Sequence, residues 1–178
     1  ISYSIAPASV SFANISINSA TGEVTITPVA DQFGSQMFTV IANDGQSQNN
    51  SYSQTFMLTV NSVNGGPAFI TSGNVLVSED FATAQHVMVT PAAVPSDELS
   101  QVVSYNLSPA SVSFTNVSIN NMTGEVTIAS VPNAFGLQIF TITASDGQSQ
   151  NNSYSQTFTL TVNAVNDPPA FTLSGDVT

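Results

Sequence analysis

The chain contains no lysine, no arginine, no cysteine and no tryptophan among its 178 residues. Its eleven Asp and Glu side chains therefore give a formal net charge of −11, and His86 is the only side chain that can become positive near neutral pH. Such a surface repels phosphate backbones and anionic headgroups, which excludes nucleic acid and membrane surfaces as partners. With no Lys or Arg to pair with, each carboxylate must be solvated, accept hydrogen bonds from N–H groups, or meet an external cation. Calcium, which takes hard oxygen ligands, suits that last case. The absence of cysteine removes disulfides, zinc-thiolate sites and thiol nucleophiles. No apolar run reaches the roughly 20 residues of a membrane helix. No signal peptide is visible and the sequence begins with Ile1, so it reads as a section of a longer polypeptide.

Charged residues make up only 6% of the chain, far below the roughly 25% of an ordinary domain, while 42% of it is hydrophobic, enough to build a core. That hydrophobic content is organised by a repeat of 102 residues without gaps. Ser9-Val10-Ser11-Phe12 returns as Ser111-Val112-Ser113-Phe114, and Asp44-Gly45-Gln46 returns as Asp146-Gly147-Gln148. Of the 76 positions from Ile1 to Leu76, 50 are identical to their partners. Pro67-Ala68-Phe69 also matches Pro169-Ala170-Phe171, which sets the frame. Residues 67–168 are expected to form one complete repeat. Residues 1–66 then form the C-terminal part of an earlier one, and residues 169–178 the first strand of the next. Residues 77–102 have no counterpart elsewhere in the chain, so the partial repeat at 1–66 is expected to pack with chain preceding it in a longer array.

Val, Ile, Thr and Phe alternate with period 2, and turn residues interrupt them every 8–12 positions, which predicts strands. In the complete repeat these are placed near Ala68–Thr71, Asn74–Val77, Gln85–Thr90, Val102–Leu107, Val117–Ile119, Glu125–Ile128, Ile139–Ala144 and Gln156–Val162. Phe140, Ile142 and Ala144 should face inward, as should Phe158, Leu160 and Val162. Only Pro95–Ser100 suggests a helical turn. Seven or eight short strands in about 100 residues predict an all-β, immunoglobulin-like sandwich.

Several segments resemble the bacterial cadherin-like and Ig-like tandem domains of giant extracellular adhesins. They are Thr123-Gly124-Glu125-Val126-Thr127-Ile128, Phe135-Gly136, Ala144-Ser145-Asp146-Gly147 and the closing Val162-Asn163-Ala164-Val165-Asn166-Asp167-Pro168-Pro169. Val77-Ser78-Glu79-Asp80-Phe81 resembles the acidic motif near the start of such domains. The resemblance implies domains joined end to end, with calcium between linker and domain-end carboxylates. It points to Asp146, Asn166 and Asp167 at the second junction, and to Asp44, Asn64, Glu79 and Asp80 at the first. The counterparts of Asp167 and Pro168 at the first junction are Gly65 and Gly66. Weaker calcium binding or a freer hinge is expected there.

Catalytic constellations are not expected. His86 lies in a strand, Gln85–Val89, whose alternation turns it to solvent, and the Asp97-Glu98 pair reads as a solvated loop rather than as paired catalytic acids. Six Asn-x-Ser/Thr sequons occur where roughly four would arise by chance from this composition, so they do not establish glycosylation, but Asn49 and Asn151 recur in the same exposed loop and are the best glycosylation candidates. The expected role is a non-enzymatic structural spacer in a long cell-surface adhesin or extracellular fibre, its partners being neighbouring repeats. The alternative is a self-assembling filament or sheath subunit, with strand exchange between copies of itself. A carbohydrate-binding module, built on Tyr52 and Tyr154, ranks below both.

Overall fold

The computed structural model describes residues 1–173 and 175. The chain divides into two compact units, Ile1–Val63 and Asn64–Thr178. The described residues form strands and turns, with no helix.

The first unit holds β1 (Ser2–Ala6), β2 (Ala13–Ile17), β3 (Val24–Pro28), β4 (Gly34–Asn43) and β5 (Ser51–Val60). They make one sheet in the order β1-β4-β5 and a two-stranded β2-β3 ribbon. The second unit repeats these five as β10 (Ser104–Ser108), β11 (Thr115–Ile119), β12 (Val126–Ser130), β13 (Gly136–Ser145) and β14 (Ser153–Asn163). Before them it adds β6 (Phe69–Thr71), β7 (Val75–Ser78), β8 (Gln85–Val87) and β9 (Val89–Pro91). Its sheets are β10-β13-β14-β7, β11-β12-β8 and the β6-β9 pair, which together form a β-sandwich.

The longest strands exceed the expected spans. β13 and β14 pair antiparallel from Gly136↔Val162 to Ser145↔Ser153, well past the apolar alternation at their centre. Backbone pairing continues through Ser, Thr and Gln because it needs only main-chain groups, whereas alternation marks only the part with a buried face. The strand expected over Gln85–Thr90 is broken at Met88. There Ser72 N donates to Met88 O and Met88 N donates to Ser72 Oγ, at 2.9 and 3.0 Å. The chain thereby switches partner, from β12 through Val126↔Val87 to β6 through Thr71↔Val89.

The inward sets in the complete repeat are buried as expected. Phe140, Ile142 and Leu160 are fully buried, and Ala144, Phe158 and Val162 nearly so. Phe140 and Phe158 stack with centroids 5.3 Å apart, as Phe38 and Phe56 do at 5.5 Å in the first unit. Val87 from β8 and Val126 and Ile128 from β12 close the opposite side. Tyr105 lies in this core against Gly124, where a Cβ would stand 2.9 Å from its ring and where φ is +75°. Burial pushes the Tyr105 phenol pKa up, because the phenolate is disfavoured away from water.

Candidate functional site

β7 runs parallel to β14, with Asn163 opposite Ser78, so the residue after β7 meets the chain as it leaves β14. That residue is Glu79. Its N–H donates to Asn163 O at 2.8 Å, and its Oε1 accepts the Val165 N–H at 2.6 Å. Glu79 is buried. Asp80, at φ +58°, accepts the Asn133 N–H at 3.0 Å. Asn166 and Asp167 follow directly and are exposed. One end of the second unit thus gathers Glu79, Asp80, Asn166 and Asp167.

The other end is built on the hairpin loop between β13 and β14. Asp146 N donates to Asn152 O, and Asp146 Oδ1 accepts the Gln148 N–H at 2.9 Å. Asn64 reaches into this loop. Its Nδ2 donates to Asp146 Oδ2 and to Gln150 O, each at 3.0 Å, while its Oδ1 accepts from Gln101 Nε2 at 2.8 Å. Asn151 Nδ2 returns a bond to Asn64 O at 2.9 Å. Beside it, the Gly65 N–H donates to Glu98 Oε1. Asp146 and Glu98 are 6% and 4% exposed, so both carboxylates depend on these N–H donors.

β14, of 11 residues, separates the two ends by roughly 35 Å at strand rise. The structure therefore groups the expected ligands differently from the sequence. Asp146 meets Asn64, not Asn166 and Asp167, while Glu79 and Asp80 lie at the Asn166–Asp167 end. Asp44 sits in the corresponding loop of the first unit. It is exposed, and its Oδ1 accepts the Gln46 N–H at 3.0 Å.

One further expectation is corrected. Glu98 is not in a solvated loop, because the turn at Pro95–Gln101 folds it under Gly65; Glu98 N donates to Pro95 O and Gln101 N to Glu98 O. The Gly65–Gly66 step packs closely within the second unit. A Cβ on Gly65 would stand 3.1 Å from the Glu98 carboxylate, and one on Gly66 would stand 2.8 Å from Asn151 O. The approach to backbone requires glycine at Gly66, whereas at Gly65 the Glu98 side chain would have to give by a few tenths of an ångström. The sequence offered no sign that Glu98 and Gln101 would meet Gly65 and Asn64, since neither has a counterpart in the other repeat.

Among the described residues no three His, Cys, Asp or Glu side chains cluster closely enough to hold a metal. The Asn64 cradle does not fit a resident calcium as it is arranged, since an amide nitrogen, not an oxygen, points between Asp146 Oδ2 and Gln150 O. At the opposite end Glu79 Oε1 and Asp80 Oδ1 already accept backbone N–H groups and Asn166 Nδ2 donates to Asp167 O at 3.2 Å, so the remaining carboxylate and carbonyl oxygens are the groups of the kind calcium takes. His86 faces solvent as expected and pairs with Glu125, Nδ1 to Oε1 at 2.7 Å. Asn49 and Asn151 both adopt φ +50° in exposed loops. The Asn151 amide nitrogen, the atom an N-linked sugar would occupy, is committed to Asn64 O.

No family model matches the sequence, and no curated protein matches it. Solved structures do. Mouse cadherin-23 extracellular domains 22–24 align over 92% of this chain and 53% of that one, at 20% identity and a TM-score of 0.53. The fold is cadherin-like. Protocadherin gamma B7 extracellular domains 1–4 align over 90% of this chain and 40% of that one, at 18% identity and a TM-score of 0.51. Human cadherin-23 extracellular domains 21–23 align over 92% and 62%, at 16% and 0.50. The chain spans between 40% and 62% of the length of these structures. No helix among the described residues is long and apolar enough to cross a membrane.

Proposed function

We propose that this chain is a section of a non-enzymatic spacer, in which cadherin-like sandwiches repeat along a cell-surface adhesin or extracellular fibre of bacterial type. The observation that carries this reading is the placement of acid groups. In the complete repeat Glu79, Asp80 and Asp167 lie toward one end of the sandwich and Glu98 and Asp146 toward the other, where the chain leaves and enters, within a tandem repeat of 102 residues. Residues 67–168 are the repeating unit, and each repeat contacts mainly its neighbours, so stability adds nearly linearly along the array.

Two kinds of repeat end follow. At Asn64–Gly66 the donors Asn64 Nδ2 and Gly65 N–H satisfy carboxylate oxygens of the acid cradle. At the exit, Asp167 stands where Gly65 stands in the other copy. An aspartate in that place would bring a third carboxylate to the cradle of a following repeat, and a divalent cation would be needed to hold it. Glu79, Asp80, Asn166 and Asp167 would then hold calcium together with carbonyls of that repeat, and the ion would stiffen the connection by neutralising clustered charge. Pro168-Pro169 adds stiffness of its own.

The test is a chain extended past Thr178 by one complete repeat, studied with calcium and with chelator. Calcium should raise the melting temperature and lengthen the particle in small-angle scattering, and Asp167→Gly should abolish both effects. Identical curves in calcium and chelator would remove the cation from this reading.

A further inference from the structure

Asn64-Gly65 is the one Asn-Gly step in the sequence, and its counterpart in the other copy of the repeat is Asn166-Asp167. An asparagine followed by glycine can cyclise. The main-chain nitrogen of the glycine attacks the side-chain carbonyl carbon, and the five-membered imide that forms expels ammonia. Glycine suits the step because it has no Cβ to obstruct the ring. Three atoms around that carbon must be managed: the attacking nitrogen, the carbonyl oxygen and the departing nitrogen. The second unit supplies a side chain to each of them.

The attacking nitrogen is Gly65 N, whose N–H donates to Glu98 Oε1. The oxygen is Asn64 Oδ1, which accepts from Gln101 Nε2 at 2.8 Å. The departing nitrogen is Asn64 Nδ2, which donates to Asp146 Oδ2 and Gln150 O at 3.0 Å each. The Glu98 and Asp146 carboxylates are buried, while Asn64 and Gly65 are half-buried. A cavity of about 180 Å³ bordered by Gly65, Glu98, Gln101 and Asp146 opens beside them, giving water a way in and ammonia a way out.

We propose that Asn64-Gly65 is a self-modification site, at which Glu98, Gln101 and Asp146 promote cyclisation of Asn64 and its conversion to an aspartyl or isoaspartyl residue. Glu98 takes the Gly65 N–H proton as Gly65 N bonds to Asn64 Cγ and the carbonyl electron pair moves onto Oδ1. Gln101 stabilises the negative charge that gathers there. Asp146 and Gln150 hold Nδ2 in a fixed orientation. The pair then returns, the Cγ–Nδ2 bond breaks, and Nδ2 leaves as ammonia with the proton carried back from Glu98 by water in the cavity. A second water opens the imide at either carbonyl, so the net change is one water consumed and one ammonia released. The product sets a new carboxylate against Asp146 and removes the donor that Asp146 Oδ2 and Gln150 O share, which loosens this end of the repeat irreversibly. Nothing in the step requires calcium or a second repeat, since every group named belongs to residues 64–150.

The experiment follows the freshly purified chain over time in chelator, by mass spectrometry and ammonia release. Conversion adds one mass unit and one negative charge, and fragmentation should place both at position 64. The folded chain should convert at least about tenfold faster than the same chain unfolded in guanidinium, because the positioned groups exist only in the fold. Glu98→Gln keeps an oxygen for the Gly65 N–H but cannot take its proton. It should slow the folded chain at least about tenfold and leave the rate in guanidinium unchanged. Gln101→Ala, which removes the donor to Oδ1, should slow the folded chain at least about tenfold as well. A folded chain that converts no faster than the unfolded one would overturn the proposal, since the cradle would then protect Asn64, and this comparison needs no variant. So would a folded Glu98→Gln chain that converts at the parent rate, or scission between Asn64 and Gly65, the product of attack by Asn64 Nδ2 instead.

Discussion

Ile26 and Ile128 are the same residue in the same strand of the repeat, yet Ile26 is 39% exposed and Ile128 is fully buried. Asp44 and Asp146 open the same seven-residue loop, Asp-Gly-Gln-Ser-Gln-Asn-Asn, with the same internal hydrogen bonds. Asp44 is exposed, and Asp146 is buried under Asn64. The two copies fold their shared strands alike, so the difference lies in what is laid over them. In the second unit β7 extends the β13-β14 sheet, β8 extends β11-β12, and Phe69, Asn64 and Glu98 cover one end. The shared alternation determines which face turns inward. Whether that face becomes a core is decided by residues 64–101, which only the second unit possesses.

The largest test of this comparison is a pair of matched truncations. Leu160→Ala should destabilise the second unit by about 2–5 kcal/mol in denaturant melts, as expected for a fully buried leucine. Leu58→Ala, at a half-buried position in the first unit, should have at most about half that effect. Equal losses would break the comparison. Next in size is Asn64→Ala, which strips the Asp146 carboxylate of a donor where it is buried. The second unit should lose about 1–3 kcal/mol, while Asp44→Ala in the exposed loop should stay within about 0.5 kcal/mol of the parent. The smallest effect is alkaline. The Tyr105 phenol has its folded pKa raised above the usual value near 10, so the folded state favours the neutral form. Its contribution to stability is complete below about pH 10 and is lost as pH rises beyond it. Tyr105→Phe should flatten that alkaline decline in thermal melts.

Much of the fold was legible because it rests on periodicity. Alternation at Phe140–Ala144 and Phe158–Val162 identified the core faces, and the repeat offset identified the units to compare. Strand ends were less legible, since Ser, Thr and Gln pair through the backbone without leaving a hydrophobic trace. The break at Met88 was hidden because it depends on a side-chain bond from Ser72, 16 residues away. Of the candidate site, Asp146, Asn64 and Glu79 were visible as residues, but their grouping was not. Which acid meets which end follows from the parallel β7–β14 pairing and from the length of β14, and local sequence encodes neither. Glu98 was misread as solvated because no local pattern announces that Gly65 will close over it.

Hydrogen exchange tests the central claim most directly, because β4-β5 and β13-β14 are nearly the same hairpin in the two settings. The account predicts that amides of Phe140, Ile142, Phe158 and Leu160 exchange at least about tenfold more slowly than those of Phe38, Val40, Phe56 and Leu58. Equal protection in the two hairpins would contradict it, showing that the shared strands stabilise themselves and that residues 64–101 add only surface.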